Sequence, residues 1–290
     1  MAKTVDEAFR TFHQRLTPSG TQTEAAKSHR ASIEACLHSN FQITRFFQSG
    51  SFGNGTTVRG YSDVDRFASI PPDAQRQNSA TMLQLVCQTL ENRFPKSGVR
   101  IDSPAVMVPF GVDVSERTEV IPAYFVRREK EGHQTYKIAD GTGGWLLTNP
   151  DTHNAYVAGV NDSMGNRVKP LIRFLKAWKF MRDVPIASFY LELRVAKYAA
   201  SEQSIVYSID VKRVLKTLWD NQLAALQDPV GISGYIQPCA TKGQKEDALN
   251  ALALALERAE KARTAEMEDR IEAAFYWWDR VFAGNFPTYG

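Results

Sequence analysis

Apolar residues recur at helical spacing in the first segment, Val5–Leu16, where Phe9, Phe12 and Leu16 share a face and Thr17-Pro18-Ser19-Gly20 follows as a stop. A second helix is predicted from Thr23 to about Ser39, with Ala26, Ile33, Cys36 and Leu37 set among Lys27, His29, Arg30 and Glu34. The period then changes. Phe41–Phe47 alternates as a strand does and runs directly into Ser49-Gly50-Ser51, and Tyr61–Ile70 reads as a second strand closed by Pro71-Pro72. Residues 73–94 predict a helix laid on one face of a sheet, through Met82, Leu83, Val86, Leu90 and Phe94. Two more strands are expected near Val99–Val108 and Thr118–Val126, before the Gly-rich stretch Asp140–Gly144. Beyond it the pattern is helical: Asn166–Arg182, Ser188–Ala200, Asp210–Gln227, and a long helix or helix pair over Lys242–Val281. The order predicts an α+β protein, with a mixed β-sheet and its helices in residues 1–150 and a helical domain in residues 151–290. The active site is expected in the cleft between these two lobes, and the first helix is placed to pack on both.

Composition narrows the function classes. Hydrophobic residues make up 43% and charged residues 23% of the 290, which is ordinary for a soluble globular chain. No apolar run approaches the roughly 20 residues that span a bilayer, and the polar start MAKTVDEAFRTF does not read as a signal peptide. Cys36, Cys87 and Cys239 lie far apart without zinc-site spacing, so reduced thiols in the cytoplasm are expected. A net charge of +3 leans towards a small nucleotide as the partner; no stable nucleic-acid complex and no membrane contact are expected.

Candidate chemistry lies in Gly50-Ser51-Phe-Gly-Asn-Gly-Thr-Thr57, followed by Ser62-Asp63-Val64-Asp65. Glycines let the backbone approach a phosphate closely, and successive N–H groups with the Ser51 hydroxyl can hold an anion. Asp63 and Asp65, two apart on a strand, project from one face roughly 6.6 Å apart at Cα. Two such carboxylates repel unless a cation lies between them. Two magnesium ions, with manganese as a substitute, can be held by such a pair together with phosphate oxygens, and can clamp both ends of an in-line phosphoryl displacement. A third acid is needed. Asp113 and Glu119 both occupy strand-like alternation; Ser115-Glu116-Arg117 suggests a turn beside Asp113, which favours Glu119.

The succession GSFGNGT, SDVDRF and TEVIPAYF resembles the DNA polymerase β-like nucleotidyltransferases, and within them the bacterial cGAS/DncV-like enzymes that make cyclic di- and trinucleotides. The likeness continues through Asn149-Pro150-Asp-Thr-His153, Arg173-Phe-Leu-Lys176-Ala-Trp178-Lys179 and Pro185-Ile-Ala-Ser188-Phe189-Tyr-Leu-Glu192-Leu193, and so covers roughly residues 5–285. It places the family's third acid on Glu119, where aspartate is usual. The resemblance implies a bilobal nucleotidyltransferase fold, Asp63, Asp65 and Glu119 as metal ligands, and nucleoside triphosphates as substrates. It also implies a donor site in which Gly50, Ser51, Lys176 and Ser188 meet the triphosphate and Phe189 stacks on a base. Independently, Val168, Leu171, Ile172, Leu175 and Trp178 predict an apolar stripe, with Lys169, Arg173 and Lys176 on another face, which is ordinarily solvated. Ser188 also suits a helix N-cap, and Phe189 a core position.

The implied product is a cyclic di- or trinucleotide second messenger in anti-phage defence, acting through a downstream effector, with a cyclic GMP-AMP isomer as the first expectation. The alternatives are a linear oligoadenylate synthase, an RNA- or protein-modifying nucleotidyltransferase, and a catalytically weak nucleotide-binding scaffold. The family also implies a ubiquitin-transfer-like enzyme acting on Gly290, at the end of an irregular tail that otherwise reads as frayed.

Overall fold

The computed structural model describes residues 2–18, 20–48, 54–61, 64–110, 116–129 and 132–290. Helix α1 (Val5–Leu16) starts from a reciprocal cap in which Thr4 Oγ1 accepts from the Glu7 amide while the Glu7 carboxylate accepts from the Thr4 amide. Its buried side, Val5, Ala8, Phe9, Phe12 and Leu16, is the face that the sequence period marks. Two compact units follow from the contacts: Met1–Thr17 with Val157–Pro229 and Gly234–Gly290, and Pro18–Tyr156 with Val230–Ser233.

The first unit is mainly helical. It holds α1 and, after the straddling helix α4 (Pro150–Ser163), helices α5 (Val168–Met181), α6 (Ser188–Ala199), α7 (Tyr207–Asp220), α8 (Lys242–Met267) and α9 (Ile271–Val281). Aromatic packing fastens α1 here: Phe9 meets Phe174 and Trp278 edge-on with centroids 5.1 Å away in each case, and Phe12 lies 4.7 Å from Phe282. The N-terminal helix therefore completes this core from the far end of the chain. A short hairpin, β8 (Leu226–Gln227) with β9 (Tyr235–Ile236), interrupts the stretch expected to be wholly helical. The last residues are not frayed. Phe286 is buried, Tyr289 forms a parallel bridge with Ala2, and the Gly290 amide donates to the Ala2 carbonyl at 3.3 Å.

Helix α5 departs from the simple stripe. Its apolar positions are buried as expected, but so are Arg173 and Lys176, because neighbouring helices cover the side expected to face water. Arg173 donates to His13 Nε2, which requires the neutral ring with its proton on Nδ1. Burial, and then the Arg173 charge, hold the His13 pKa down at about 4 against an ordinary 6.5. The unfolded chain thus takes up a proton that the folded one refuses. Stability is full above about pH 6.5 and falls as the pH drops towards 4. Urea titrations at pH 7, 5.5 and 4.5 are expected to show this loss, and His13→Phe to flatten it.

The second unit is built on a seven-stranded sheet, in which β1 (Arg45–Gln48), β2 (Val64–Ile70), β5 (Glu116–Arg128), β4 (Ala105–Phe110) and β3 (Arg100–Asp102) lie in that order. β6 (Gln134–Ala139) joins the C-terminal half of β5, and β7 (Trp145–Thr148) joins β6. Among the described strands of this sheet, only β2 and β5 pair in parallel. Helices α2 (Gly20–Phe41) and α3 (Ser79–Arg93) cover one face, where Ile33, Leu37, Met82 and Leu90 pack on Val106, Val120 and Tyr124. The strand expected from Phe41 begins four residues later because α2 runs on to Phe41 and Gln42 ends it at φ 51°. Val99–Val108 is two strands about a turn at Ser103-Pro104. β6 and β7 flank the Gly-rich stretch that hid them; their alternation is short, and pairing onto β5 makes them strands. Among the described residues, no helix is long and apolar enough to cross a membrane.

Candidate active site

Strands β2 and β5 run side by side in one direction, and their register pairs Asp65 with Glu119. Directly paired residues in neighbouring strands project to the same face, with strands about 4.8 Å apart. The face is identified by the next pair along. Phe67 and Ile121 belong to the apolar cluster opposite the α2/α3 side, with Ala105, Ala123, Tyr136 and Ile138. Asp65 and Glu119 are both half-buried at the edge of that cluster. On the far side of Glu119, Met107 is its partner in β4 and is buried. The apolar floor thus ends in a row of two carboxylates.

Oxygen-only donors side by side on a rigid sheet suit a hard divalent cation better than a nitrogen- or sulfur-preferring metal. Asp63 immediately precedes β2 in the chain; it lies outside the described residues, as do Gly50, Ser51 and the rival acid Asp113. The described end of the Gly-rich turn is packed: Asn54, Thr56 and Thr57 are buried. Gly55 lies at φ +67°, in the left-handed region that a side chain disfavours.

The remaining candidates belong to the helical unit. Lys176 on α5 is fully buried, and its Nζ lies 2.8 Å from Oε1 of Glu192 on α6, which is itself 2% exposed. Glu192 has no role in the sequence pattern above; an acid set in the apolar run Tyr-Leu-Glu-Leu is the local signal for its burial. Ser188 opens α6 as its first residue rather than its cap. Ala187 holds the cap position without a side-chain bond, and Lys179 Nζ donates to Ser188 Oγ at 2.9 Å. Phe189 is 37% exposed, next to a fully buried Tyr190, so its ring is not core. His153 is buried in α4 and Trp178 in α5. Within the sheet unit the structure brings together Asp65 and Glu119; within the helical unit it places Ser188 and Phe189 consecutively and gives each of Lys176 and Ser188 a partner.

The family model for the second messenger oligonucleotide or dinucleotide synthetase domain matches residues 3–161. A probable cyclic nucleotide synthase of Bacillus cereus (strain VD146) is 23% identical over 252 residues, 82% of this chain and 75% of that one. A cyclic AMP-AMP-AMP synthase of an Acinetobacter species is 26% identical over 170 residues, 52% of this chain and 49% of that one. Among solved structures, the Vibrio cholerae cyclic AMP-GMP synthase DncV, in complex with a linear intermediate, superposes with a TM-score of 0.76 at 12% identity. That match covers 99% of this chain and 97% of the other, and establishes a shared fold.

Proposed function

Since the chain belongs to the second messenger oligonucleotide or dinucleotide synthetase family, the bacterial cGAS/DncV-like nucleotidyltransferases, we propose that it joins nucleoside triphosphates into a cyclic di- or trinucleotide at the Asp65–Glu119 row. The observation that carries this reading is the parallel register that sets two carboxylates on one face, with Asp63 one residue ahead of the strand. Asp63, Asp65 and Glu119 would hold two magnesium ions, which supply activation of a ribose hydroxyl and neutralisation of the departing pyrophosphate. Asp65 and Glu119 contribute charges positioned in advance by the paired strands β2 and β5, which lowers the reorganisation needed at the moment of reaction. Glutamate in place of aspartate lengthens one arm by a methylene, and a side chain on the paired residue still reaches the same row.

Gly50 and Ser51 are proposed to receive the donor phosphates, with Lys176 and Ser188 adding charge and a hydroxyl and Phe189 offering a ring to the base. These assignments rest on the family likeness. The product proposed first is a cyclic GMP-AMP isomer released to an effector in anti-phage defence, in the cytoplasm. The relatives named for cyclic AMP-GMP and for cyclic AMP-AMP-AMP keep both ring sizes in view. Conjugation through Gly290 would require the tail to leave Ala2 first.

Incubation of the protein with Mg²⁺ and four labelled nucleoside triphosphates, resolved before and after phosphatase, tests the reading. Short phosphatase-resistant products are expected. Phosphatase-sensitive ladders would point instead to a linear polymer, and absence of any product with Mg²⁺ or Mn²⁺ to a binding scaffold.

A further inference from the structure

The end of α9 gathers three arginines from three separate stretches of the chain. Arg182, just beyond α5, donates through Nη2 to the Arg280 carbonyl and through Nε to the Val281 carbonyl at 3.3 Å. Arg258, within α8, donates to the same Arg280 carbonyl at 2.9 Å. Arg280 itself turns back over the Tyr276 ring, its guanidinium carbon 5.1 Å from the centroid. Arg182 and Arg258 are half-buried and Arg280 is exposed, so the cluster is recessed at two members and open to water at the third.

Cations at a helix C-terminus are ordinary, because the last carbonyls together carry about −0.5 of an elementary charge. One guanidinium answers that charge; three exceed it. None of the three has a carboxylate ion-pair partner among the described residues. Two acids act on the cluster from nearby, and both are engaged elsewhere. Asp279 Oδ1 accepts from the Phe286 amide at 3.1 Å, and Glu257 Oε1 accepts from Lys261 Nζ at 2.6 Å. With Asp279 offsetting one charge and Lys261 balancing Glu257, an excess of about +1.5 is left around the Arg280 carbonyl. The repulsion shows on Arg182, whose pKa is lowered by burial first and then by the Arg258 and Arg280 charges, with Asp279 opposing.

Donors are left over as well. Arg258 commits one N–H and Arg182 two to backbone carbonyls, fewer than a guanidinium offers. Planar forks with spare donors suit phosphate oxygens, and a dianion matches the excess charge better than a singly charged carboxylate.

We propose that Arg182, Arg258 and Arg280 form a phosphate-binding site at the C-terminal end of α9, made of residues that the proposed reaction does not use. Its ligand is a phosphate dianion, free or carried as a monoester, held between the ends of α5 and α9 and one face of α8.

The test follows the melting midpoint of the full-length protein, with EDTA present, in inorganic phosphate against chloride at equal ionic strength. At a Kd of about 1 mM, phosphate at about 20 mM should raise the midpoint by about 3 °C. Arg258→Gln and Arg280→Gln are each expected to weaken binding about 10-fold and to shrink the rise to about 1 °C. Arg280→Gln removes no side-chain bond to the backbone, so the α9 end stays capped by Arg182 and Arg258. Arg10→Gln, which removes an arginine paired with Asp6 on α1, should keep the full rise. AMP in place of phosphate separates the two sources. A larger rise that both variants lose identifies a monoester, and an equal or smaller one identifies the free ion. No rise in the wild type overturns the site. So does the same rise in the wild type and both variants, which is the general exclusion of phosphate from protein surfaces.

Discussion

Asp65→Asn is expected to cut nucleotide joining by about 1,000-fold or more while the protein stays folded. The substitution keeps the shape of the side chain and removes the charge that the row contributes to cation binding; losing several kcal/mol of transition-state charge stabilisation corresponds to this fall in rate. Stability should change little, because Asp65 is half-buried beside another acid and loses a repulsive neighbour with its charge. Glu119→Gln is expected to fall as far, since the register gives it the same standing in the row. Glu119→Asp should retain turnover. The measurement is product formed per minute at saturating nucleotide, beside a thermal melt of each variant. Full turnover by Asp65→Asn with an unchanged melt would remove the Asp65–Glu119 row from the mechanism.

The second large effect is on stability. Lys176 and Glu192 are an ion pair in the interior of the helical unit, with side-chain exposures of 1% and 3%. Removing one partner strands the other charge away from water, so Lys176→Met or Glu192→Leu alone is expected to cost about 3–5 kcal/mol and to lower the melting midpoint by about 10 °C. The double variant Lys176→Met/Glu192→Leu replaces both charges by apolar groups of similar volume and should regain most of that loss. Activity then separates two roles for Lys176. A stable double variant that no longer binds triphosphate supports its proposed place in the donor site; one that binds normally leaves the pair a purely structural element.

Much of this was legible in the residues. The period of Val5–Leu16 marks α1 to both its ends, and α6 and α8 begin at Ser188 and Lys242, where the expected helices Ser188–Ala200 and Lys242–Val281 begin. Asp65 and Glu119 each stand in strand-like stretches, and the family likeness names Glu119 as the third acid, but nothing local pairs the two. What escaped were features that exist only through partners distant in sequence. β6 and β7 are too short to declare themselves until they pair with β5. Arg173 and Lys176 look like a solvated basic face until neighbouring helices bury it.

The sequence by itself determined the mixed class, the acids on which the chemistry is proposed to depend, and the family, because periodicity and motif spacing are local properties of the chain. Tertiary structure decided which strands run parallel, and so which carboxylate faces Asp65. It also decided that α1 belongs to the helical core, and that Lys176 is buried against Glu192 rather than exposed to water. Register and burial depend on where the backbone returns after many intervening residues, and no local pattern encodes that return.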